Sequence, residues 1–182
     1  MIILGLDCGS SSIKAALLRN GRVVGKIARG AYRTKFNGVR AELDPRAVLK
    51  ALAEAVAQLG AAAKKADLIA LDSMAPSWIA MDRRGRALTP IITHQDRRSV
   101  EQAKEIEKKV GKARHLGLAG NRPFPGGISS TTWAWFNENE PSVLKQADLV
   151  GHLSTFLHRT LTGARVTAVS YTHLTLPTIY SV

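Results

Sequence analysis

The chain has 182 residues, 45% apolar and 22% charged, which suits one ordinary domain with a real core and excludes a disordered chain. No apolar run reaches the ~18 residues that a membrane span needs, and Cys8 is the only cysteine, so no disulfide forms within the chain. The net charge of +12 is scattered over isolated doublets such as Lys64-Lys65, Arg83-Arg84 and Arg97-Arg98, and with only 5% aromatic residues it offers no base-stacking platform; no nucleic-acid or membrane partner is expected.

Residues 2–6 form an apolar run without a preceding basic region or a following cleavage site, and read as a buried first strand, not a signal peptide. A Gly/Ser-rich turn over 7–12 follows. Residues 13–19 resume as a strand, Asn20-Gly21 is a hairpin signal, and residues 22–28 return. The opening is thus an antiparallel meander, where a dinucleotide-binding unit would pass from strand to helix. Asp44-Pro45 starts a helix as N-cap and first helical residue, with Val48, Leu52, Val56 and Leu59 on its apolar stripe.

Further along, residues 68–71 read as a buried strand, 78–81 as another, and Arg84-Gly85 as a turn. Ser99 opens a charged helix to about Val110, and residues 121–130 form a Pro/Gly/Ser loop. Residues 131–137 and 141–146 read as short helices, and 149–160 as a helix closed by Gly163. Three strands followed by alternating helices and strands predict an α/β fold on a mixed sheet flanked by helices.

The segment Leu6-Asp7-Cys8-Gly9-Ser10-Ser11-Ser12-Ile13-Lys14 carries the chemistry. A carboxylate ends a buried strand, and a glycine and three hydroxyls follow on a tight turn. Backbone N–H groups and short hydroxyls in such a turn approach phosphate oxygens closely. Asp7 is the candidate Mg²⁺ ligand, Gly9, Ser10, Ser11 and Ser12 are the candidate phosphate cradle, and Lys14 adds a cation. An ordinary Ser/Gly hairpin with a capping Asp fits the same residues.

This segment resembles the phosphate-1 motif of the sugar kinase, Hsp70 and actin superfamily, with Ser10 in place of the usual threonine. Three more segments are similar to FGGY carbohydrate kinases. They are Glu42-Leu43-Asp44-Pro45; the stretch from Met81-Asp82 through Pro90-Ile91-Ile92-Thr93-His94-Gln95-Asp96-Arg97-Arg98-Ser99; and the helix ending in Leu161-Thr162-Gly163. The resemblance runs in register over residues 1–167. It implies a ribonuclease-H-like domain, incomplete here, and an ATP- and Mg²⁺-dependent cytoplasmic kinase acting on a sugar or polyol hydroxyl. The implied catalytic base and most of the adenosine site lie beyond Thr167, so the fragment alone is expected to be inactive. A homodimer of the full-length parent is left open. The alternative is a non-catalytic nucleotide-binding module of the same superfamily, which the segment from Leu88 to Ser99 argues against.

On the sugar side the chain departs from the family. Met74-Ala75-Pro76-Ser77 replaces the donors that xylulose and glycerol kinases carry before this strand, and His94 replaces a tryptophan. Ser77, Trp78, His94 and Asp96 are the candidate substrate residues. For His94, packing at a strand end is an equal alternative; for Asp96, a local ion pair with Arg98 is one; and Trp78 also suits the core. Finally, residues 169–178 resemble a translated sequencing-library adapter. The expected division is therefore a partial kinase domain over 1–167 and an appended tail over 168–182, from which no function is read.

Overall fold

The computed structural model describes residues 1–166. They divide into two compact units, one built from Met1–Thr34 with Leu43–Met74, the other from Lys35–Glu42 with the chain from Ala75 onward.

The first unit holds a four-stranded sheet and one long helix. Strands β1 (Ile3–Cys8), β2 (Ser12–Arg19) and β3 (Arg22–Ala31) form the expected meander. Its hairpin turns on Asn20 (φ 52°) and Gly21 (φ 74°), the left-handed pair that a type I′ turn demands. Helix α1 (Pro45–Gln58) begins where the sequence places it: Asp44 accepts the Arg46 N–H at 2.9 Å, and Pro45 sits at a position with no N–H to lose. Val48, Ala51, Leu52 and Ala55 bury one face of the helix against β2 and β3. Contact is close enough that a Cβ on Gly30 would lie 2.0 Å from the Ala51 carbonyl oxygen.

After β4 (Lys35–Asn37) and β5 (Arg40–Leu43), which belong largely to the second unit, the chain returns as β6 (Leu68–Ser73), parallel to β1. The sheet order is β3-β2-β1-β6, mixed as predicted. One expectation fails here. Strand β6 is not buried: Leu68 and Ile69 are about half exposed (50% and 49%). It is the edge of this sheet, and among the described residues it pairs with β1 alone.

The second unit carries a five-stranded sheet, β4-β5-β8-β7-β9, with β7 (Ser77–Met81), β8 (Ile91–Thr93) and β9 (Leu149–Gly151). Every residue of β7 and β8 is buried. Around them lie α2 (Val100–Val110), α3 (Lys112–Ala119), α4 (Ser129–Asn139), α5 (Pro141–Gln146) and α6 (Leu153–Thr162). Trp78, Ala80, Ile92 and Phe136 form the core cluster, with the Trp78 and Phe136 rings stacked at 4.5 Å. The β4–β5 hairpin, β8 and α3 were not predicted. The helix expected over 149–160 is instead a strand, β9, followed by α6. Leu149–Gly151 pairs antiparallel with Met81, Ala80 and Ile79, and that pairing overrides the local helical pattern. Gly163 ends α6 in the left-handed conformation, φ 73°, as expected. The expected tail, 168–182, lies outside the described residues.

Candidate functional site

In the first unit, β1 and β2 deliver the predicted phosphate turn as a local assembly. Strand β1 runs two residues further than the sequence suggested, so the turn proper shrinks to 9–11. The Gly9 N–H donates to the Ser12 carbonyl at 3.0 Å and closes it. Ser10 and Ser11 are exposed, while Ser12 is buried at the start of β2. Antiparallel register sets Lys14 opposite Asp7, and Lys14 Nζ donates to Asp7 Oδ2 at 2.9 Å. Both side chains are about half exposed, so the pair is open to solvent and to exchange for other partners.

Two residues that the sequence reading missed join this assembly. Parallel register places Asp72 of β6 beside Asp7 of β1, which puts two carboxylates and one ammonium along one row of the sheet. Tyr32, just past β3, closes over the turn from behind. Its N–H donates to the Ser11 carbonyl at 3.0 Å, and its hydroxyl donates to the Gly9 carbonyl. Burial, reinforced by the negative charge of Asp7, pushes the Tyr32 hydroxyl above its ordinary value and keeps it a donor. Burial first, then the charges of Asp7 and Asp72, pushes the Cys8 thiol up to about 12, so Cys8 is no thiolate nucleophile.

Asp7, Lys14 and Asp72 stand in an open trough of about 520 Å³ whose remaining lining is largely apolar, with Ile3, Leu18, Val23 and Ile27 among its walls. Among the described residues no cluster of three or more His, Cys, Asp or Glu side chains is arranged to hold a metal. Mg²⁺ makes no such demand. It keeps several waters and binds through one or two carboxylates together with phosphate oxygens, and the Asp7/Asp72 row fits that donor set.

The second unit gathers the predicted sugar-side residues at the adjoining ends of β7 and β8, where Ser77 pairs with Thr93. Three of the four are committed to the frame. Ser77 is fully buried; its Oγ accepts the Leu153 N–H at 2.9 Å, and its carbonyl is bonded to His152 Nδ1. Trp78 is fully buried against Phe136, and its Nε1 finds no hydrogen-bond partner among the described residues.

Asp96 is fully buried as well. Its Oδ2 accepts the Ala41 N–H at 2.8 Å, and Arg98 donates to both of its oxygens at 2.8–2.9 Å. Burial works against the Arg98 charge, but Asp96 and Glu42 outweigh it and raise the guanidinium pKa. The Arg98 guanidinium also lies 5.1 Å from the centre of the Trp135 ring.

His94 alone of the four is exposed. The loop before α4 presses onto its backbone: a Cβ on Gly126 would sit 2.4 Å from the His94 carbonyl oxygen, and one on Gly127 would sit 2.7 Å from Ser77 Cα. Both glycines have positive φ, 91° and 74°, so the loop follows a path that only glycine takes without strain.

Comparison with known proteins agrees with this architecture. The chain is 29% identical over 168 residues to a xylulose kinase of Streptomyces coelicolor, covering 91% of this chain and 34% of that one. It is 32% identical over 153 residues to a gluconokinase of Bacillus subtilis, covering 82% and 30%. The crystal structure of a xylulose kinase from Rhodospirillum rubrum shares the fold, with a TM-score of 0.85 at 24% identity over 94% of this chain and 37% of that one. The chain therefore spans about a third of the length of the relatives it matches. The match to the FGGY N-terminal domain runs over residues 2–175, more than nine-tenths of the sequence. On that match the chain belongs to the FGGY family of carbohydrate kinases, as its N-terminal domain.

Proposed function

We propose that the full-length protein transfers the γ-phosphate of ATP to a hydroxyl of a sugar or polyol, and that this chain supplies its phosphate-binding part. The observation that carries the reading is the turn after β1, with Asp7 and Lys14 at 2.9 Å beside a glycine-serine loop. Phosphoryl transfer asks the protein mainly for in-line positioning and charge neutralisation. Gly9, Ser10, Ser11 and Ser12 offer backbone N–H groups and hydroxyls to phosphate oxygens. Lys14, released from Asp7, offsets phosphate charge. Asp7, with Asp72 beside it, would hold Mg²⁺, which would supply charge neutralisation to the phosphates. On the sugar side, His94 is the exposed group and is assigned to a substrate hydroxyl. Ser77, Trp78 and Asp96 hold the frame around it. The base that takes the hydroxyl proton is assigned, by family resemblance, to the parent beyond residue 167, and 168–182 to an appended tail. ATP as donor and a lone unpaired cysteine agree with a cytoplasmic parent.

The test is a panel of pentoses, hexoses, polyols and sugar acids offered to the complete gene product with MgATP. ADP release that depends on one sugar class supports the kinase. ATP hydrolysis indifferent to every member would favour a non-catalytic nucleotide-binding module instead.

A further inference from the structure

We infer that Tyr32 is a positioning residue for the phosphate turn, setting the direction of the N–H groups that meet nucleotide phosphate. The inference rests on the phosphate-binding reading of that turn. Tyr32 contributes two donors to it from one position: its own N–H to the Ser11 carbonyl at 3.0 Å, and its hydroxyl to the Gly9 carbonyl. These bonds hold the Gly9–Ser10 and Ser11–Ser12 peptide planes. A trans peptide carries its N–H opposite its C=O, so tying both carbonyls to Tyr32 turns the Ser10 and Ser12 N–H groups away from it. The Ser12 carbonyl, at the start of β2, is occupied by the Gly9 N–H at 3.0 Å.

The consequence is electrostatic. A phosphate-binding turn must present N–H groups and withdraw carbonyl oxygens, whose partial negative charge opposes an anion. Of the four carbonyls from Gly9 to Ser12, those of Gly9, Ser11 and Ser12 are engaged by donors. Tyr32 accounts for two of them. It is 6% exposed, so its hydroxyl has little water to turn to, and the Gly9 bond stays in place as ligand enters and leaves. The turn is then set before nucleotide arrives, and binding avoids the cost of ordering it.

The experiment uses the full-length gene product and the substitution Tyr32→Phe, which keeps the ring packing and deletes the donor. Two quantities are read: affinity for a magnesium-bound, non-hydrolysable ATP analogue by calorimetry, and hydrogen exchange of the Gly9 amide. We expect affinity to fall about fivefold, the value of one lost neutral hydrogen bond. KM for MgATP should rise by a similar factor, with KM for sugar unchanged. Gly9 should exchange at least tenfold faster, while β3 amides such as that of Ala28 hold. Leu52→Ala, which weakens α1 away from the turn, serves as the control: it should lower the melting temperature and leave analogue affinity alone.

Tyr32→Phe affinity within twofold of wild type, with unchanged Gly9 exchange, overturns the inference. So does an equal loss of affinity in Leu52→Ala, which would mark the effect as general destabilisation. Wild-type protein that binds the analogue but phosphorylates no sugar overturns the kinase reading alone. Wild-type protein that binds no analogue overturns the phosphate reading and this inference with it.

Discussion

At the scale of single residues, burial divides the candidate site residues into half-exposed and enclosed side chains, and removal of each kind has a different expected outcome. Asp7 is half exposed and is bonded to Lys14, itself half exposed, so its loss leaves little unsatisfied. In the complete protein, Asp7→Ala should therefore abolish sugar-dependent ATP consumption while moving the melting temperature by no more than a few degrees. Near-wild-type turnover would remove Asp7 from the mechanism. Asp96 makes the opposite case. Its removal would strand the Ala41 N–H and leave Arg98, whose side chain is 3% exposed, with Glu42 as its remaining carboxylate. Breaking a buried pair from one side costs about 3–5 kcal/mol. Asp96→Ala should thus lower stability in chemical denaturation by that order. If KM for sugar rose instead with stability intact, Asp96 would be a substrate ligand after all. In sequence an Asp-x-Arg spacing serves both roles; the bond from the Ala41 N–H to Asp96 becomes visible only once β5 lies beside β8. Tyr32 and Asp72 were illegible for the same reason. Each acts through a strand register that joins it to residues distant in sequence.

At the scale of elements, what could be read was what local chemistry fixes. The Asn20-Gly21 hairpin, the Asp44-Pro45 helix start and the Gly163 stop each depend on a few adjacent residues, and each stands in the structure. What could not be read depends on pairing at a distance: the short strands β4, β5, β8 and β9 are each held by neighbours in the sheet. The packing of α1 on β3 is likewise silent in sequence, since a glycine within a strand pattern signals only a close approach somewhere. Gly30→Ala places a methyl carbon 2.0 Å from the Ala51 carbonyl oxygen, and neither backbone has a flexible end to yield. Pushing the helix off the sheet should cost about 1–3 kcal/mol, read as a lower denaturant midpoint; an unchanged midpoint would mean that α1 docks more loosely than described.

The junction of β7 with α6 carries a pH dependence. Burial drives the His152 pKa down to about 4 from 6.5, against a weaker opposing pull from its bond to the Ser77 carbonyl. His152 is therefore neutral in the fold and takes up a proton more readily when unfolded. Its stabilising contribution is complete above about pH 6.5, falls away as pH drops toward 4, and levels off below that. The shift corresponds to roughly 3 kcal/mol across the window. His152→Asn, which retains a donor near the Nδ1 position, should flatten this part of the stability profile. A slope that persists in the variant would assign it to other groups.

At the scale of the whole molecule, the first unit exposes an apolar sheet face together with a strand edge, β6, that pairs on one side only among the described residues. Val23, Ile27, Leu68 and Ile69 are 48–62% exposed, and the trough between the strands is lined chiefly by carbon. Exposed apolar patches of several hundred Å² promote association, and an unpaired edge such as β6 is a template for another strand. The net charge of +12 acts against this by keeping copies apart. The balance should therefore depend on salt. At low ionic strength, repulsion reaches across tens of ångströms; near 0.5 M salt it is screened within about 4–5 Å, and the apolar attraction remains. Residues 1–167, expressed alone, should accordingly self-associate at micromolar concentration, and more strongly as salt rises, with no sugar-dependent ATP consumption. Light scattering across a salt series reads the first outcome and a coupled ADP assay the second. Placing lysines on the two outer strands, as Ile27→Lys on β3 with Ile69→Lys on β6, should suppress the association without restoring activity. A monodisperse monomer at high salt with one cooperative unfolding transition would show that the exposed face of β1, β2, β3 and β6 is tolerated in water and that this unit is stable by itself.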